Sequence, residues 1–233
     1  MEIARSTDEI YAVIENEIIS LAIKPGDDLS ENSLCKRFGV SRTPIRTVLQ
    51  RLENKGFVAI APYKGSFVTL LDYQVIEQDV YARVAVESMV FRDFINAHSP
   101  ADISALQYAM TQLEAEGKKC LENTGDFDVY RFLGSDLAMH HVYFRAIHKE
   151  TLATSLQRMD ASYSRFLTLD INAGENVNDV LVDHREMLDI IDSGAIERIE
   201  PLMRRHLYGG IRRLGPRLFS DFRHYFIEKT LPI

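Results

Sequence analysis

The stretch SRTPIR, residues 41–46, decides the fold of the first third of the chain. Ser41 is a favoured N-cap residue, and Pro44 is tolerated in a first helical turn because the amide nitrogens there have no helical partner. A helix is therefore predicted to begin here. Its apolar stripe is formed by Ile45, Val48, Leu49 and Leu52. Arg46 points away from that stripe, and Arg42 lies at its N-terminal edge.

The segments on either side predict a winged helix-turn-helix. Ser6 and Glu9 have the spacing of a capping box, and the helix that they open is expected to run to about Ala22. A short second helix is expected between Ser30 and Gly39, where glycine supplies a left-handed stop. Two short strands, FVAIA and FVTLL, follow the third helix, with a turn over residues 62–66. We assign this domain to residues 1–72.

The charge distribution points to a polyanionic partner. The whole chain is acidic, with a net charge of −7, yet residues 34–66 contain seven basic residues and one acidic residue. An arginine on an exposed helix can bind a guanine edge in the major groove, while Ser41 and Thr43 can reach a phosphate or a thymine methyl group. Double-stranded DNA is therefore the expected partner.

A family resemblance extends this prediction. The stretch GDDLSENSLCKRFGVSRTPIRTVLQRLENKGFVAIAPYKGSFV resembles the DNA-binding domain of GntR-family bacterial repressors. It departs from the family pattern at Cys35, at residues 47–48 and at Lys64. The resemblance implies a homodimer on a short palindromic operator. It also implies that Arg42 and Arg46 read bases, and that the remaining contacts come from Ser41, Thr43 and the wing residues Lys64 and Gly65.

Residues 73–233 show helical periodicity and no strand alternation, which predicts an antiparallel bundle of six or seven helices. The fold class is thus mainly α, with the winged helix-turn-helix preceding an all-helical domain. The predicted helices cover residues 73–97, 100–117, 126–147, 151–168, 178–192, 195–208 and 216–228.

Three of these helices carry polar residues in their apolar stripes. Asp136 and His140 are one turn apart on one face, while His184 and His206 continue the stripes of two later helices. An inward histidine is most often a satisfied core residue, but an inward carboxylate is costly without a partner. Four such groups that converge are a plausible set of ligands for one divalent metal ion. Zinc is the first expectation, and nickel and manganese remain open.

The second domain also resembles a known one. The segments DLAMH at 136–140, DHREMLDII at 183–191 and MRRHL at 203–207 match the metal-binding members of the FCD domain, found in the FadR-like subgroup of GntR regulators. In that domain the metal often anchors a small carboxylate effector beside an arginine. The resemblance makes Arg83, in VYARVAVE, the candidate effector-binding residue. Arg83 and Glu87 also form an ordinary i, i+4 ion pair.

The predicted function is a DNA-binding transcription regulator, expected as a repressor, whose helical domain binds a divalent metal and a small carboxylate. The alternatives are a metal-dependent hydrolase or lyase with an appended DNA-binding domain, or a regulator that senses the metal itself. No catalytic residue is assigned, because no general base stands beside the proposed ligands. Two cysteines without a CxxC pair, no signal peptide and no run of about 18 apolar residues favour a cytoplasmic protein that does not enter membranes.

Overall fold

The computed structural model describes residues 6–122, 125–158, 161–172 and 176–231. They form two compact units. The first contains the residues up to Val75 together with Ala161–Phe166 and the residues from Pro216 onward, and the second contains Ile76–Asp160 and Leu167–Gly215. The division of the chain at residues 72 and 73 stays a prediction.

The first unit contains the predicted winged helix-turn-helix. Its elements are α1 (Thr7–Ile19), α2 (Glu31–Phe38), α3 (Arg42–Asn54), β1 (Val58–Ala61) and β2 (Gly65–Val68). The two strands are antiparallel, with Val58 opposite Val68 and Ala61 opposite Gly65. These two strands form the wing, and they share one hydrophobic core with the three helices. The core includes Ile10, Ile14, Ile45, Leu49 and Val68.

Local sequence signals set the ends of these helices. Ser6 and Glu9 form the capping box at the start of α1, and Gly39 ends α2 in the left-handed conformation with φ of 67°. The first helix ends at Ile19 rather than near Ala22, because Leu21 already has a φ of 61°.

The part of the chain after the wing is helical, which confirms the predicted fold class. Within the described residues it forms eight α-helices rather than six or seven. They are α4 (Tyr73–Ala97), α5 (Pro100–Leu121), α6 (Val129–Ala146), α7 (Glu150–Arg158), α8 (Ala161–Asn172), α9 (Asn176–Ser193), α10 (Ile199–Leu207) and α11 (Gly209–Leu214). Helix α5 packs against α6 and α9, and α9 packs against α10. None of the described helices combines the length and the apolar character needed to cross a bilayer.

The prediction of one helix over residues 216–228 is wrong. This segment contains three short 3-10 turns, at Gly215–Leu218, Arg223–Tyr225 and Glu228–Thr230. Its backbone pairs instead with the strand-like residue Leu71, whose N–H donates to the Tyr225 carbonyl at 2.8 Å and whose carbonyl accepts from Ile227 at 2.9 Å. Backbone groups used in this pairing are not available for a helical ladder.

The predicted helix over 151–168 is also different. The structure has α7 up to Arg158 and α8 from Ala161, and residues 159 and 160 lie outside the described residues. Helix α8 continues to Asn172, beyond the predicted end.

Candidate functional site

The N-terminal half of α3 exposes the side chains that sequence analysis assigned to DNA. Ser41 is the N-cap residue, but its side chain makes no capping hydrogen bond, so its hydroxyl is available to a phosphate. Arg42, Thr43 and Arg46 are exposed. The opposite face is buried through Ile45, Val48, Leu49 and Leu52. The free amide groups of this first turn and its positive dipole end also suit a phosphate.

Two side chains of α2 hold these arginines. The Nε atom of Arg46 donates to both carboxylate oxygens of Glu31, at 3.0 and 3.1 Å, and this bond raises the pKa of Arg46. The Nη2 atom of Arg42 donates to Oδ1 of Asn32 at 3.0 Å. Neither partner was predicted from the sequence, because Glu31 and Asn32 precede the basic segment at residues 34–66. Both contacts restrict the rotamers of the two arginines.

The tip of the wing is the second exposed basic element. Lys64 and Gly65 are both exposed. Gly65 has a φ of 104°, a backbone conformation that residues with a side chain rarely adopt. A Cβ atom at this position would lie 3.4 Å from Oδ1 of Asp28. Tyr63 beside them is fully exposed with a φ of 63°. This tyrosine was not among the predicted DNA-binding residues, although its place between proline and lysine in a turn pointed to an exposed aromatic side chain.

The four residues predicted as metal ligands lie together. Asp136 and His140 come from α6, His184 from α9 and His206 from α10, and one donor atom of each lies within 4.8 Å of the others. We call these four residues the metal-ligand cluster. His184 is fully buried, and Asp136 is the most exposed member, with 20% of its side chain accessible.

The spacing of the donor atoms fits a metal ion. The Nε2 atom of His184 lies 3.2 Å from Nε2 of His140 and 3.3 Å from Oδ1 of Asp136. Metal–nitrogen bonds of about 2.0–2.1 Å place neighbouring ligand atoms about 3.3–3.4 Å apart in tetrahedral geometry and about 2.8–3.0 Å apart in octahedral geometry. Three imidazoles and one carboxylate also form a donor set that zinc and other borderline divalent ions accept. The cluster therefore fits a single divalent ion.

Electrostatics around the cluster keep its central histidine neutral. Burial lowers the pKa of His184 to about 3, with a smaller opposing effect from Asp136. Burial alone would also lower the pKa of His140, but the charge and hydrogen bond of Glu87 outweigh it and raise that pKa. Burial acts to raise the pKa of the Glu87 carboxyl, yet His140 and Arg83 outweigh it and lower that pKa to about 2.

Arg83, the candidate effector-binding residue, lies near the cluster. It is buried, and its guanidinium donates to Oε1 of Glu87 at 3.2 Å and to the Leu156 carbonyl at 3.3 Å. Arg83 and His140 both line a small cavity of about 10 Å³, room for a single water molecule at most. Its other lining residues are Glu87, Leu137, His141, Phe144, Ala153 and Leu156.

Known proteins share this architecture. Residues 6–68 match the family described as bacterial regulatory proteins, gntR family, and residues 80–209 match the FCD domain. An HTH-type transcriptional regulator from an unstable DNA locus of Streptomyces ambofaciens is 28% identical over 91% of this chain and 89% of its own length. The HTH-type transcriptional repressor RspR of Escherichia coli is 33% identical, but over only 36% of this chain and 37% of its own length.

Solved structures give the same fold. A GntR transcriptional regulator from Rhodococcus sp. RHA1 has a TM-score of 0.66 at 21% identity, covering 90% of this chain and 97% of its own. McbR/YncC of Escherichia coli has a TM-score of 0.69 at 16% identity, covering 94% and 100%. The matched families and the matched relatives are transcription regulators rather than enzymes. The chain therefore belongs to the GntR family of bacterial regulatory proteins and is a DNA-binding transcription regulator with an FCD domain.

Proposed function

We propose that this regulator is a cytoplasmic homodimer that represses transcription from a short palindromic operator. We further propose that its FCD domain binds one divalent metal ion and a small carboxylate metabolite, which modulates operator binding. The observation that carries the metal proposal is the convergence of Asp136, His140, His184 and His206 within 4.8 Å. Repression is supported by the matched relative RspR, which is named a repressor.

Zinc is our first candidate for the ion, followed by nickel and manganese. A bound ion would supply a concentrated positive charge with coordination positions that a carboxylate can occupy. The four cluster residues would hold the ion, and Arg83 would face the effector once the small cavity that it lines with His140 widens. The DNA contacts would come from α3 and the wing, through Ser41, Arg42, Thr43, Arg46, Lys64 and Gly65.

Metal binding is tested on chelator-stripped protein. We expect added Zn²⁺ to raise the melting temperature, since a ligand that binds the folded state alone stabilises it. Elemental analysis of protein purified without chelator should give about one ion per chain, the stoichiometry that one four-ligand site allows. The absence of bound metal, together with no thermal shift on adding Zn²⁺, Ni²⁺ or Mn²⁺, would falsify the site.

Effector control is tested on the same protein by fluorescence anisotropy, with a duplex selected from random DNA for tight binding. Metabolite carboxylates are screened with and without zinc. His184→Ala should remove the metal and the carboxylate response while leaving affinity for the duplex within a few-fold of wild type. His98→Ala, a histidine outside the cluster, is the matched control. A response to zinc without any carboxylate would instead favour a sensor of the metal itself.

A further inference from the structure

Each histidine of the metal-ligand cluster has its Nδ1 atom next to an oxygen acceptor. Nδ1 of His140 lies 2.6 Å from Oε2 of Glu87, and Nδ1 of His184 lies 2.8 Å from the carbonyl oxygen of Val180. Nδ1 of His206 lies 3.4 Å from Oδ2 of Asp183. A carbonyl or an ionised carboxylate can only accept a hydrogen bond. The proton of each ring therefore belongs on Nδ1. In His184, where Nε2 also lies 3.3 Å from Oδ1 of Asp136, the shorter contact of Nδ1 decides its place. Nε2 is then left as the metal-binding atom of all three rings.

Two of these acceptors are held by an arginine on their far side. Arg83 donates to the second oxygen of Glu87, and Nε of Arg205 donates to the second oxygen of Asp183 at 2.9 Å. The same sequence of arginine, carboxylate and imidazole thus occurs twice, once from α4 to α6 and once between α10 and α9. Both carboxylates are buried, with 3% of Glu87 and 7% of Asp183 exposed.

Burying these charged groups costs desolvation free energy, so stability alone does not explain the arrangement. Arg83 and Glu87 form a buried ion pair, and such pairs rarely add net stability, since apolar replacements of similar volume are often as stable. Asp183 is buried too, although its partner Arg205 is half exposed. What the two carboxylates do provide is orientation. A histidine that binds a metal through one nitrogen needs a hydrogen-bond partner for the other. Without that partner the ring can rotate or carry its proton on the nitrogen that should bind the metal.

We propose that Glu87 and Asp183 are positioning residues for the metal site. They hold His140 and His206 in the Nδ1–H tautomer with Nε2 directed into the cluster, and the Val180 carbonyl does the same for His184. The arginines Arg83 and Arg205 keep each carboxylate in place through its second oxygen. This inference rests on the proposed metal function, and it assigns a role to two residues that do not touch the ion.

The first test measures zinc affinity in the full chain, by competition with a chromophoric chelator. We expect Glu87→Ala and Asp183→Ala each to weaken zinc binding about 10- to 100-fold, the usual effect of losing a partner of a metal-bound histidine. Glu87→Gln and Asp183→Asn keep one oxygen that accepts from Nδ1–H but turn an amide donor toward the arginine, so their loss of zinc affinity should lie between wild type and the alanine variants. Glu114→Ala is the matched control, because the hydrogen bond of Glu114 comes from the exposed Arg185 rather than from a cluster histidine, Arg83 or Arg205.

The second test does not depend on the alanine variants folding. Long-range ¹H–¹⁵N spectra of the zinc-loaded wild type should show a protonated Nδ1 and a metal-bound Nε2 at all three histidines. A metal-bound Nδ1 at His140 or His206 would overturn the assignment for that residue. So would an alanine variant that binds zinc within about twofold of wild type, well below the loss expected for such a partner. Wild type that binds no zinc would refute the metal site itself, a different failure.

Discussion

At the scale of single residues, Asp79 lowers the free energy of unfolding by an amount that depends on pH. It lies on α4 with 6% of its surface exposed, and its Oδ2 atom has no hydrogen-bond partner among the described residues. Burial raises the pKa of its carboxyl from 3.8 to about 6, although Arg83 one turn away opposes the shift. The folded state therefore binds more protons than the unfolded state between these two pH values. Stability must fall as the pH rises through this window and then stay lower.

Asp79→Asn removes the charge and keeps the shape. We expect the metal-free variant to be more stable than wild type at about pH 7.5, by roughly 1–2 kcal/mol after allowing for solvent screening. The gain should shrink toward zero at about pH 4, where the wild-type carboxyl is itself protonated. Urea denaturation at both pH values measures it, and Asp93→Asn, an exposed site on the same helix, is the control. A variant no more stable than wild type at the higher pH would contradict this account.

At the scale of elements, α3 and the wing should contribute to DNA binding in different ways. Arg42→Ala and Arg46→Ala should each lose about 1–3 kcal/mol of discrimination between the selected operator and random duplex, as expected for a bidentate base contact. Lys64→Ala should weaken binding to both duplexes alike and reduce the salt dependence, as expected for a phosphate contact. Anisotropy titrations at several salt concentrations separate the two effects. Full discrimination in both arginine variants would show that another element reads the operator.

The elements that sequence analysis predicted well are those defined by local signals. Helix α3 follows from a cap, a proline and a stripe that lie within a dozen residues, and Asp136 and His140 share a face because they are four residues apart. The partner of His140 was not predictable in this way, because Glu87 is 53 positions distant. The prediction of a helix over residues 216–228 was wrong for the same reason. The spacing of the apolar residues there is typical of a helix, but the backbone forms hydrogen bonds with Leu71, which is far away in the chain.

At the scale of the whole molecule, a palindromic operator requires a two-fold symmetric dimer. The exposed face of α4 is a suitable interface for a second copy. Tyr81 and Met89 on that face are 62% and 63% exposed, and exposed Ala85 lies midway between them. Antiparallel pairing about Ala85 would bring the two helices close and place Tyr81 of one chain beside Met89 of its partner. A thioether against an aromatic ring is a favourable contact.

We therefore expect the full chain to sediment as a dimer at micromolar concentration and Met89→Lys to sediment as a monomer. The ammonium group of the introduced lysine would lose its hydration in the interface without gaining a partner. Tyr108→Lys on α5 is the control, since Tyr108 is 67% exposed and lies on a different helix. Operator affinity of Met89→Lys should fall well below that of wild type, because two linked DNA-binding domains benefit from an effective concentration that separate monomers lack. A monomeric wild type would refute the homodimer, whereas a dimeric Met89→Lys beside a monomeric Tyr108→Lys would place the interface on α5.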